Sequence, residues 1–254
     1  MGGSILFKTL RLYSTLWIRR KARVVVRGTD EIPPRQAGER RVYILVNRST
    51  SLDIAALMHV SLSPFAILAG RDDACLPLVR RLLHGARFIP LGNEGNGDNW
   101  HTDSDACIAA SLRAIESGMP LIVSLHDDPP GAGRRGRIRT EGLRIARKAG
   151  ARIYPLFLKA EESGIRSKAV RGPDGVERVY TTLKNSIFFI EALKPMALDD
   201  LPSDAGEEAY QGLARRLETM SDAVEARYEA YLEDNRERFA PLKRRGGARL
   251  RVAW

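Results

Sequence analysis

The sequence predicts an α/β fold: one αβ sandwich with an N-terminal amphipathic helix and a long C-terminal helix. Three observations carry this. Strand-type apolar runs alternate with helix-type segments between Arg23 and Pro202. Two of the runs, Val42-Tyr43-Ile44-Leu45-Val46 and Pro120-Leu121-Ile122-Val123-Ser124-Leu125, are apolar almost throughout, as buried strands are. At 254 residues, with 44% hydrophobic and 28% charged side chains, the chain can bury a substantial core as one large domain. The expected division is a helix over 1–22, an αβ domain over 23–240 and a basic tail over 241–254.

In chain order, Leu6, Leu10, Tyr13 and Trp17 share one helical face beside Lys8, Arg11, Arg19, Arg20 and Lys21. That pattern suits a helix lying in a membrane interface, or one packed on its own domain. Arg23–Arg27 reads as a strand, and Pro33 and Pro34 break the following loop. Val42–Val46 is the next strand, followed by a polar turn and a short helix that ends at Ser63-Pro64. Strands follow at Phe65–Leu68 and Ala86–Leu91, with a helix at Pro77–Leu83 between them. A polar loop leads to a helix over Ala106–Ser117, closed by Gly118, and then to the buried run at Pro120. Thr140 is placed to cap a helix that Gly150 ends, before the strand Ile153–Leu158. Val179–Ile190 reads as strand, and Glu207–Arg238 as a helix with Tyr210, Leu213, Leu217, Met220 and Val224 on one face.

A net charge of +10 points to an anionic partner. Nucleic acid has only that charge in its favour, with no recognition motif, so an anionic membrane surface or an acidic carrier fits better. Cys75 and Cys107 form neither a metal-type spacing nor a disulfide framework, which fits a reducing, cytoplasmic setting. No metal site and no bound cofactor is expected. No apolar run reaches the length of a spanning helix, so the expected place is peripheral, on the inner face of the membrane.

The polar turn Asn47-Arg48-Ser49-Thr50-Ser51-Leu52-Asp53 joins a strand to a helix, where α/β folds place chemistry. Together with three later segments it resembles the glycerolipid acyltransferase family, whose best-known members are the 1-acylglycerol-3-phosphate acyltransferases. That family's first motif is Asn-His-x4-Asp. "ILVNRSTSLD" keeps the Asn, the Asp and the spacing, with Arg48 in place of the His. The second, Gly-x-x-Phe-Ile-x-Arg, is similar to "GARFIPL", which has Gly85 and Phe88 but Leu91 for the Arg. The third, Pro-Glu-Gly-Thr-Arg-Ser, falls on "LIVSLHDDPPG", with His126 and Asp127 near the Pro and Glu. The fourth, an apolar strand with a central Pro, resembles "ARIYPLFL". A second register sets Asn47-Arg48-Ser49 against the His-Arg-Ser of glycerol-3-phosphate acyltransferases. Neither register restores a histidine.

The resemblance implies acyl transfer from acyl-CoA or acyl carrier protein to a lipid-like acceptor. In the family the His removes the acceptor's proton and the Asp orients the ring. Arg48 cannot act as that base, because guanidinium stays protonated and has no lone pair. It can pair with Asp53, or grip a phosphate or carboxylate. Arg87, Arg134 and Arg135 are further candidates for anion binding, beside Asn47, Gly85 and Phe88. His126 is the candidate relocated base, with Asp53 or Asp127 in support; the alternative is a loop histidine beside solvated carboxylates. The chain is thus read as a divergent acyltransferase-like transferase of phospholipid metabolism, or as a pseudoenzyme that binds lipid, carrier protein or a partner enzyme.

Overall fold

The structure is a computed structural model that describes residues 2–47, 53–61, 63–70, 86–91, 104–126, 138–161, 165–171, 177–183, 186–198, 201 and 205–235. Nine strands and five helices fall in these segments. They are α1 (Gly2–Lys21), β1 (Ala22–Arg27), β2 (Arg41–Asn47), α2 (Asp53–Val60), β3 (Ala66–Gly70), β4 (Arg87–Leu91) and α3 (Ser104–Glu116). There follow β5 (Leu121–Ser124), α4 (Glu141–Ala149), β6 (Arg152–Ala160), β7 (Ile165–Arg171), β8 (Glu177–Leu183), β9 (Ser186–Ala192) and α5 (Glu207–Asp234).

A seven-stranded sheet in the order β1-β9-β6-β2-β5-β3-β4 forms the middle of a single α/β domain. Strands β6, β2, β5, β3 and β4 run parallel, while β9 is antiparallel to β6 and carries β1 at the edge. Both faces of the sheet are covered, which is why the strands read as near-continuous apolar runs. On one face Val42, Ile44, Val46, Leu121 and Val123 pack under α3, α4 and α5. On the other, Leu45, Ile122, Leu156 and Phe188 pack under α1 and α2.

The connections decide where a site can form. From β2 the chain passes through α2 on one face and crosses β5 to reach β3. From β5 it passes through α4 on the other face and crosses β2 to reach β6. Neighbouring strands whose connections leave in opposite directions make a topological switch point, and a crevice opens beyond their carboxyl ends. Here the carboxyl ends in question are marked by Asn47 and Ser124.

Two glycines fix close approaches. Gly28 sits at φ +65, and a Cβ there would lie 2.2 Å from the Ala192 carbonyl oxygen. Gly142 lets α4 press on β5, since its Cβ would meet Val123 Cγ1 at 3.1 Å.

Several expectations need correction. The buried seam of α1 is Phe7, Ser14 and Ile18, with Leu10 and Trp17 partly buried, while Leu6 and Tyr13 are exposed. The helix is apolar on more than one side, and the seam that meets Phe65 edge-on through Phe7 is the one that packs. Val179–Ile190 is two strands, and β8 pairs with β7 in a separate two-stranded sheet. Thr140 precedes α4 but makes no side-chain cap; its hydroxyl donates instead to Glu207 at 2.8 Å. On α5, Ala214, Ser221 and Tyr228 join Tyr210, Leu217 and Val224 in the buried face. The expected helix at Pro77–Leu83, the loops at 92–103 and 127–137, and the basic tail lie outside the described residues.

Candidate active site

The candidate site is built where β2 and β5 end. Leu125 N–H donates to the Leu45 carbonyl at 2.9 Å, so the ladder between the strands runs on to the residue before His126. Asn47, half-buried, closes β2 after a register shift opposite β6. Asp53 opens α2 and is 1% exposed, at a helix end where a carboxylate suits the unsatisfied N–H groups.

His126 is 5% exposed and bridges Ile138 across the loop mouth. Its Nε2 lies 3.4 Å from Glu218 Oε1 on α5. This is long for a charge-assisted hydrogen bond, and catalytic contacts often shorten when substrate binds. The ring therefore reaches toward the α5 side of the sheet, whereas Asp53 heads α2 on the opposite side. Asp127, the other carboxylate expected beside it, lies outside the described residues, as do Arg48, Gly85, Arg134 and Arg135.

Arg87 and Phe88 fall elsewhere. They begin β4, where Arg87 is level with Ala66 and so with Leu121 and Val42. This is the amino end of the sheet, roughly 17 Å along the strands from Asn47. Leu91, in the position of the second motif's Arg, ends β4 on the crevice side.

Sequence reasoning missed Glu218. It lies 92 residues from His126, on a helix whose pattern identifies only the apolar face. Around it α5 crosses the sheet and is tied down at intervals. Glu207 accepts from Thr140 and Arg144, Glu225 pairs with Lys159 on β6, and Arg227 reaches Glu191 on β9 at 2.6 Å. Burial works against the Glu207 carboxylate, but the bonds from Thr140 and Gln211 and the charge of Arg144 hold its pKa below the usual value. Among the other histidines, His59 is a packing residue. Burial, then Arg19 and Arg11, lower its pKa, and its Nδ1 lies 3.0 Å from Thr15 Oγ1 on α1. His84 and His101 lie outside the described residues.

The class is one of fold: the seven-stranded α/β sandwich is acyltransferase-like by its likeness to a solved acyltransferase. The particular likeness is to the 1-acyl-sn-glycerophosphate (LPA) acyltransferase PlsC from Thermotoga maritima. The two superpose with a TM-score of 0.57 over 87% of this chain and 80% of that one, at 16% sequence identity. At that identity the likeness establishes the fold. No protein-family model and no curated protein matches the sequence.

Proposed function

We propose that the protein transfers an acyl group from acyl-CoA or acyl carrier protein to a hydroxyl of a lipid-like acceptor at a membrane surface. The observation that supports this most is the buried His126 at the switch-point crevice, with a carboxylate within reach. In this reading His126 takes the acceptor's proton as its oxygen attacks the thioester carbon. The carbon–sulfur bond breaks, an ester forms, and the proton passes to the leaving thiolate. Asp53 shapes the crevice from the α2 side, and Asp127 flanks His126 in sequence. Asn47, Arg48, Arg134 and Arg135 hold the acceptor's anionic group, guanidinium being suited to a bidentate grip.

The membrane part rests on α1. Among the described residues the exposed large apolar side chains are Ile5, Leu6, Leu12, Tyr13 and Leu16, all on that helix, and its last turn carries Arg19, Arg20 and Lys21. No described helix is long and apolar enough to cross a membrane. Such a face lies in the interface plane. Leu12→Asp with Leu16→Asp is expected to weaken binding to anionic vesicles at least about tenfold without lowering thermal stability. Unaltered vesicle binding would remove α1 from this role.

The deciding experiment incubates purified protein with acyl-CoA or acyl carrier protein and mixed lipid acceptors, following ester formation and thiol release. His126→Ala is expected to lower turnover by about a hundredfold or more; undiminished turnover overturns the assignment of the base. Arg48 supports a second reading, a non-catalytic relative that binds lipid or a carrier protein, because its guanidinium has no lone pair to accept a proton. Salt-sensitive vesicle binding by a wild-type protein without turnover would favour that reading.

A further inference from the structure

We propose that Glu218 is a positioning residue that fixes the tautomer of His126. The proposal rests on the reading of His126 as the base. A neutral imidazole is useful as a base only at the nitrogen without a proton, and the partner of the other nitrogen decides which one that is. Glu218 Oε1 faces Nε2, so the carboxylate holds the proton there and leaves Nδ1 as the acceptor. The His126 side chain is buried, so water competes little for its ring nitrogens.

Glu218 belongs to a stripe on α5. Glu207, Glu218 and Glu225 recur at a spacing close to whole helical turns, and each reaches across to another element: α4, the end of β5 and β6. The flanking two are clamps. Glu207 meets Thr140 and Arg144, and Glu225 meets Lys159, which also lies over the Tyr228 ring at 5.4 Å. The middle contact differs in chemistry, since its partner is an imidazole, whose ring nitrogens can each donate or accept. It differs in place too, because its partner stands at the switch point. Glu218 is also more accessible than its partner, at 27% side-chain exposure against 6% for His126. A carboxylate so placed can hold the ring's tautomer and orientation through a turnover, as the orienting acid of a hydrolytic triad does.

Glu225 supplies the control, because Glu225→Ala removes a helix-to-sheet contact of the same kind without touching His126. In nitrogen NMR of histidine-labelled protein, at a pH where imidazole is neutral, wild type is expected to carry the His126 proton on Nε2. Glu218→Ala is expected to give a mixture of tautomers, and Glu225→Ala the wild-type spectrum. In turnover, Glu218→Ala is expected to lower kcat about tenfold or more with KM little changed, Glu218→Gln to recover part of the loss, and Glu225→Ala to leave kcat unaltered. A proton on Nδ1 in wild type, or an equal kcat loss in Glu218→Ala and Glu225→Ala, overturns the proposal. The expected tautomers together with full turnover in His126→Ala would retain the pair and overturn only the reading of His126 as the base.

Discussion

The two ends of the sheet hold their polar groups in opposite ways. At the amino end Arg41, 3% exposed, donates to Glu39 at 2.6 Å and to the Pro33 carbonyl at 2.9 Å. Tyr154 donates to the other Glu39 oxygen at 2.7 Å, and the Arg41 guanidinium lies 4.8 Å from the centre of the Tyr154 ring. Short bonds to both carboxylate oxygens make a clasp that holds the loop after β1 against β2 and β6. An open hollow lined by Pro33, Gln36, Glu39, Arg40, Gly150 and Arg152 lies beside it, away from the switch point. At the carboxyl end His126 Nε2 and Glu218 Oε1 stand 3.4 Å apart. Tight, multiply bonded polar groups stabilise; a longer contact to an imidazole can shorten when substrate binds.

Variants at each end separate these roles. The largest expected effect on stability is from Glu39→Ala, which leaves the buried Arg41 charge without its carboxylate. Removing one partner of such a pair costs about 3 kcal/mol, measurable by urea unfolding, while kcat of the folded protein stays at its wild-type value. A comparable loss of kcat at constant stability would erase the contrast between the ends.

Acid tests the same clasp. Burial opposes the Glu39 carboxylate, but the bonds from Arg41, Tyr154 and the Gln36 N–H outweigh it and hold its pKa at about 2, against an ordinary 4.5. Its stabilisation is therefore complete above about 4.5 and is lost as pH falls through about 2. Urea midpoints measured across that window are expected to fall more steeply in wild type than in Glu39→Gln. Parallel curves would show that the clasp contributes little.

The smallest effect is expected at the other end. Glu218 is partly exposed, so Glu218→Ala is expected to change unfolding free energy by less than about 1 kcal/mol. A loss as large as that of Glu39→Ala would make the His126 contact a second clasp.

The parallel part of the fold was legible because it is written in local pattern. Continuous apolar runs marked β2, β5 and β6, Gly118 and Gly150 marked helix ends, and the motif spacing pointed to the turn after Asn47. Long-range partners left no such mark. Glu39 needs Arg41 nearby but also Tyr154, 115 residues on, and Glu218 needs His126. In the hairpin β7–β8, charged residues interrupt the apolar ones, so its period-two signal was weak. Thr140 shows how a sound local rule yields: a hydroxyl positioned to cap α4 is taken by a carboxylate from α5. Arg87 shows another limit: the motif marks its strand, but only the ladder register places it at the amino end of the sheet.

The pairing of β1 has a consequence during synthesis. Among the described residues its ladder neighbour is β9, with Ala22 opposite Ser186. As the chain grows toward its C-terminus, β1 is made long before β9 and waits for it. Helix α1 can settle on α2 early, but Val24, Val25 and Val26 hang from it unpaired until Ile187–Ile190 has been made. A chain that stops short of Ser186 presents an open edge of three valines, the kind of surface through which nascent chains associate.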